Sequence, residues 1–152
     1  MNAIRSGLPA VTLLFLLPVI CQAEDKPTFT TSGHTTDSLA KVKKSLADEK
    51  AVLLDVREEN EWNTGHLQEA KLLPLSVIRS GKLTNKQKKL LPKDKPVYCH
   101  CRSGGRVLIV SKILRAKGYD IRPLRSGFTA LVKVGFKTAK KKEGDDSEPE
   151  SH

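Results

Sequence analysis

Three short apolar runs, residues 51–56, 97–101 and 119–124, are separated by longer stretches in which apolar residues recur every three or four positions. Such runs suit strands buried on both faces, and the intervening period suits helices lying over them. A strand–helix alternation of this kind closes as a parallel or mostly parallel sheet with helices on both faces, because each parallel neighbour needs a long crossover. Functional loops in that architecture lie beyond the carboxyl ends of the strands. The second run ends there with Cys101, followed at once by Arg102, Ser103, Gly104, Gly105 and Arg106 and then by a helix-like stretch.

The remaining elements follow from local chemistry. Thr36-Asp37-Ser38 offers a helix cap before Leu39, Val42 and Leu46. Residues 57–63 read as a short helix or turn, and Leu72, Leu73 and Leu75 around Pro74 as a short strand entering a loop. A lysine-rich helix over 85–91 is halted before Pro92. Val107, Val110, Ile113 and Leu114 form the apolar face of a helix that Lys117-Gly118 ends, and residues 128–136 read as a last helix.

At 152 residues the chain has room for one ordinary core. Its formal charge of +10 is compatible with nucleic acid, an anionic membrane surface or small anionic substrates. Scattered lysines (Lys41, Lys43, Lys44; Lys86, Lys88, Lys89) with few interleaved aromatics argue against a nucleic-acid module and for solvated helix faces. No internal repeat is evident.

Residues 1–23 read as a signal peptide. Arg5 is the only early charge, residues 8–20 are almost wholly apolar, and Cys21-Gln22-Ala23 supplies the small residues that a signal peptidase reads before Glu24. The expected location is therefore periplasmic or secreted, with no stable membrane contact once the signal is cleaved. The alternatives are an uncleaved anchor over residues 6–23 and a lipid-modified Cys21. Residues 24–33 read as a lead-in, 34–136 as the domain, and 137–152 as a disordered charged tail with no apolar period.

The six-residue loop carries the chemistry. Glycines let the backbone curl so that successive N–H groups point inward, a helix N-terminus closes the ring, and two arginines add positive charge. Such surroundings favour thiolate, the nucleophilic form of cysteine, so Cys101 is the expected catalytic residue. Arg102, Ser103, Gly104, Gly105 and Arg106 are the expected substrate-binding residues. Cys99 reads as strand packing, since residues two apart on a strand lie roughly 6.6 Å apart with parallel side chains, too far for a disulfide. A resolving or redox partnership with Cys101 is the alternative.

Asp55-Val56-Arg57-Glu58, Glu61-Trp62, Gly65-His66-Leu67, Pro96 with the 97–106 stretch, Gly118-Tyr119 and residues 124–128 occur in that order. Together they resemble the single-domain rhodanese-like sulfurtransferases over residues 34–136. The resemblance implies a central five-stranded α/β sheet and a Cys101 that becomes a persulfide on accepting sulfane sulfur from a small anionic donor such as thiosulfate. Cyanide or a thiol then removes the sulfur. No cofactor or metal is expected, because the transferred atom already carries a leaving group. Covalent storage on one nucleophile implies ping-pong kinetics. The chain departs from the family pattern at Ser126-Gly127, where many relatives carry a glycine pair, at Leu131 in place of tryptophan, and at Cys99 and His100.

Cysteine-loop phosphatases and arsenate reductases are similar, with His-Cys, five residues and then Arg. Here only four residues separate Cys101 from Arg106, leaving the ring one residue short for a tetrahedral oxyanion. A persulfide carrier or anion-binding module without turnover is the non-enzymatic alternative. Asp55 with Arg57 reads as a structural ion pair, His66 as a packed histidine, and Trp62 as core or rim packing. His34, His100 and His152 share no metal-ligand spacing.

Overall fold

A computed structural model describes residues 26–139. Strands β1 (Val52–Asp55), β2 (Ala70–Leu72), β3 (Val97–His100) and β4 (Ile121–Pro123) pair in parallel in the order β2-β1-β3-β4. The helices are α1 (Leu39–Ala47), α2 (Glu59–Asn63), α3 (Leu75–Ser80), α4 (Asn85–Lys88), α5 (Arg106–Arg115) and α6 (Phe128–Lys133). From β1 the chain turns to one edge of the sheet and then crosses to β3, so the connections diverge between β1 and β3. Ligands of open α/β sheets bind at such a point. The register sets Asp55 opposite His100, which brings the carboxyl ends of both strands level there.

Alternation along each strand divides the core into two layers. Leu54 and Cys99 face Leu75, Ile78, Val107, Val110 and Leu114 of α3 and α5. Leu53 and Tyr98 face Val42 of α1, Leu131 of α6 and Phe136. Each such side chain, at most 5% exposed, contributes about 1.5–3 kcal/mol by leaving water. The Ser38 hydroxyl caps α1 by accepting from the Lys41 N–H at 3.2 Å, as its sequence position implies.

Among the described residues the sheet has four strands, not five. Where a fifth would pair with β4, the Thr35 N–H donates to the Pro123 carbonyl at 2.9 Å, and the segment then curls through a single antiparallel bridge between Phe29 and Thr35. Pro123 explains the truncation. A strand residue points its N–H and C=O to the same side, and proline has no N–H with which to return the bond. The lead-in therefore joins the fold earlier than residue 34.

Other boundaries moved for equally local reasons. The strand expected over 72–75 lies at Ala70–Leu72, because Pro74 is the N-cap of α3, where a missing N–H costs nothing. Helix α4 stops at Lys88, and Leu90 and Leu91 close tighter turns onto Gln87 and Lys88. Helix α6 ends at Lys133 in a Schellman motif: the Gly135 N–H (φ 85°) bonds the Val132 carbonyl and the Phe136 N–H bonds the Leu131 carbonyl. Residues 137–139, expected in the tail, belong to the fold. The Lys137 carbonyl accepts from the Gln68 N–H, the Ala139 N–H donates to His66, and Thr138 bridges Leu67. The signal assignment (1–23) and the rest of the tail lie outside the described residues. Among the described residues no helix is long and apolar enough to cross a membrane.

The sheet edge is tied to α1 by charge. Tyr98 Oη donates to Asp37 Oδ2 at 2.9 Å, Arg122 Nη1 reaches the same oxygen at 3.0 Å, and Lys41 Nζ pairs with Oδ1 at 2.7 Å. Burial pushes the Asp37 carboxyl up, but these three donors outweigh it and hold it at about 2. A depressed carboxylate stabilises the fold above its unfolded pKa, and that contribution fades as pH falls toward about 2. Thermal unfolding between pH 5 and 2 should show a loss of up to about 2 kcal/mol. Asp37→Asn should lower stability at pH 5 and flatten that dependence.

Candidate functional site

Cys101 is the first residue beyond β3, and its position is fixed by main-chain bonds. The Val56 N–H donates to the His100 carbonyl at 3.0 Å, the Leu124 N–H to the Cys99 carbonyl at 2.9 Å, and the Phe128 N–H to the Cys101 carbonyl at 2.9 Å. Two residues before α5 begins, the chain has already turned back over the sulfur, and the Gly104 N–H donates to Cys101 Sγ at 3.2 Å. Among the described residues the N–H groups of Ser103, Gly105 and Arg106 have no protein acceptor, and Gly105 caps α5 without a side-chain bond. The loop thus offers free donors at a helix N-terminus, an arrangement suited to an anion.

Two glycines make the turn possible. Gly104 adopts φ 86°, in the left-handed region, and a Cβ there would lie 2.5 Å from the Arg125 carbonyl oxygen. Gly127 has an ordinary φ, but its Cβ would overlap the Arg102 carbonyl. At the departing Ser126-Gly127 pair, Gly127 keeps the position that lies against the loop. By contrast, a Cβ on Gly105 would meet nothing within 4 Å.

The charges differ from the sequence expectation in one respect. Arg106 does not stand free: its Nη2 donates to Glu61 Oε1 at 2.7 Å, and Nη1 reaches Oε2. That guanidinium holds the Glu61 carboxyl at about 2 against a smaller opposing effect of burial. Arg102 is exposed and unpaired among the described residues, and so is Arg125, whose carbonyl lies against Gly104. Sequence reasoning missed Arg125 because nothing local marks it; only its contact with Gly104 brings it to the loop. Ser103 is exposed, without a hydrogen-bonded base.

Access also differs. The sequence implies a reachable thiol, yet Cys101 is 1% exposed, because its side chain follows Cys99 toward the α5 layer and the loop roofs it. Cys99 is a core residue, and burial pushes its thiol far up. Both cysteines are free thiols.

On the opposite face of β3 lies a second polar group. Arg57 grips Asp55 through Nε at 3.0 Å and Nη2 at 2.7 Å, donates to the Gly65 carbonyl, and stacks 4.3 Å over the Phe128 ring. The pair is buried and structural. His100, fully buried with both ring nitrogens unpartnered, sits 3.7 Å from Asp55; burial lowers its pKa against the pull of that carboxylate. It cannot share a ligand with Cys101, which faces the other layer. His66 stacks on Trp62 at 3.6 Å and its Nδ1–H donates to the Trp62 carbonyl. Among the described residues no group of three or more His, Cys, Asp or Glu is placed to hold a metal.

The profile of the rhodanese-like domain matches residues 38–133. The chain belongs to that family. The putative sulfurtransferase YtwF of Bacillus subtilis is 36% identical over 95 residues, covering 61% of this chain and 85% of that protein. An uncharacterized protein of the same organism, YqhL, is 38% identical over 80 residues, covering 52% of this chain and 59% of its own length. Among solved structures, the human single-domain sulfurtransferase TSTD1 aligns at 25% identity with a TM-score of 0.56, covering 64% of this chain and 95% of that one. In this rhodanese-like chain the loop therefore hangs from the expected fold, at the divergence point between β1 and β3.

Gly127→Ala tests the close approach of α6 to the loop. Overpacking should cost about 1–3 kcal/mol in denaturant unfolding and slow alkylation of Cys101, whereas Gly105→Ala should be nearly neutral for stability.

Proposed function

We propose that this chain is a sulfurtransferase in which Cys101 carries the sulfur. The observation that supports it most directly is the Gly104 N–H aimed at Sγ from a loop with three further free donors. The Cys101 thiolate attacks the sulfane sulfur of a donor such as thiosulfate, whose S–S bond breaks so that sulfite leaves with the electron pair. The terminal sulfur of the resulting persulfide is anionic, and main-chain N–H groups stabilise it where it forms. Cyanide or a thiolate then attacks that sulfur, leaving as thiocyanate or a new persulfide and returning the Cys101 thiolate. Arg102 and Arg125 raise the local concentration of a dianionic donor, while Arg106, neutralised by Glu61, orients the loop.

A persulfide carrier without turnover is the second reading, favoured by the 1% exposure of Cys101. Turnover separates the two, since a carrier loads sulfur but releases none to cyanide. The protein is also proposed to be exported, on the character of residues 1–23. Its mature mass should begin at Glu24, and a full-length mass in the membrane fraction would instead support an anchor over residues 6–23.

Incubation with thiosulfate should add one sulfur atom to the intact mass, removed by cyanide. Cys101→Ser should abolish the gain and Cys99→Ser should keep it; an unaltered wild-type mass would defeat the proposal. Arg102→Glu should lower kcat/KM for thiosulfate about tenfold at low salt, and added salt should shrink the difference.

A further inference from the structure

The strongest feature not used above reaches the loop from the far end of the chain. His34 Nε2 lies 3.0 Å from the Gly104 carbonyl oxygen, across 70 residues of sequence. A carbonyl only accepts, so Nε2 carries the proton and donates. In a neutral ring Nδ1 is then an acceptor, and Ser32 Oγ, 3.0 Å away, is its donor. Thr30 Oγ1, 2.9 Å from Ser32 Oγ, and its bond from the His34 N–H complete a small relay. The ring is 8% exposed, and the segment is anchored beside it by Thr35 on Pro123.

We propose that His34 is a positioning residue for the anion-binding loop. The peptide joining Gly104 to Gly105 is planar and trans, so its C=O and N–H point in opposite directions. With the carbonyl held by His34, the Gly105 N–H is turned away from that ring, and among the described residues it has no protein acceptor. Neither flanking glycine has a side chain to resist rotation of this peptide, and a Cβ on Gly105 would meet nothing. The clasp supplies the restraint that the loop's own sequence lacks. The segment before α1 is therefore part of the functional unit.

This inference rests on the sulfurtransferase reading for its purpose but not for its test. The probe is alkylation of Cys101, followed by peptide mass, with iodoacetate, whose carboxylate uses inward N–H groups, and with neutral iodoacetamide. In His34→Ala the ratio of the iodoacetate to the iodoacetamide rate should fall about tenfold, the size of one hydrogen bond to a charged group. His34→Gln, which restores an N–H donor at similar reach, should recover most of it. A residue that merely holds the fold together would change both rates alike and leave the ratio as in wild type, and that result overturns the proposal. Should His34→Ala not fold, Ser32→Ala carries the test: a two- to threefold fall supports the relay and an unchanged ratio overturns it. Thiosulfate loading of the wild type is measured alongside. If loading fails while the ratio still falls in the variant, the clasp stands and the sulfurtransferase reading falls.

Discussion

The donation of the Gly104 N–H to Cys101 Sγ requires the chain to reverse within three residues of leaving a buried strand. Backbone that turns so sharply toward a side chain cannot also make the ladder or helix bonds that usually satisfy it, so its donors stay free. That freedom suits the loop to an anion, and it also makes the loop expensive to hold. Much of the surrounding architecture meets that cost. The level ends of β1 and β3 fix where the loop starts, the first N–H of α6 takes the Cys101 carbonyl, and the close approach of Gly127 seats the Arg102 peptide.

The charged groups follow one rule: those that are buried are paired or neutral. Arg57 is gripped by Asp55 and roofed by Phe128, which ties the end of β1 to the start of α6, the element that holds Cys101. Removing one partner of such a pair strands a buried charge, so its role is to fix geometry rather than to add net stability. His100 has no hydrogen-bond partner for either ring nitrogen and lies 3.7 Å from Asp55, and burial lowers its pKa. Among the described residues around the loop, Arg102 and Arg125 are exposed and unpaired, and solvent screens their charge.

Much of this was written in the chain order of the sequence. The apolar runs located β1, β3 and β4, the Ser38 cap located α1, and the arrangement Cys101 to Arg106 located the loop, because each of these signals is local. What stayed hidden depends on contacts distant in sequence. Arg106 reads as free until α2 brings Glu61 to it, and Arg125 is unremarkable until its carbonyl meets Gly104. His34 falls at the edge of a polar lead-in and gains meaning only from a partner 70 residues away. The missing fifth strand was legible in principle, since Pro123 cannot return an edge bond, but only once the edge it occupies is known.

The burial of Cys101 sets the final condition on the proposed chemistry, since any donor would have to displace something to reach the sulfur. The anchors beneath the loop are buried main-chain bonds, and leaving such groups unpaired costs about 1–3 kcal/mol each. The Arg106–Glu61 pair at the rim is different, with its side chains 27% and 26% exposed, and partly solvated pairs of this kind contribute only about 0.2–1 kcal/mol. Of the contacts around the loop, that pair is therefore the one whose loss would cost least, while the main-chain bonds beneath it keep the loop formed.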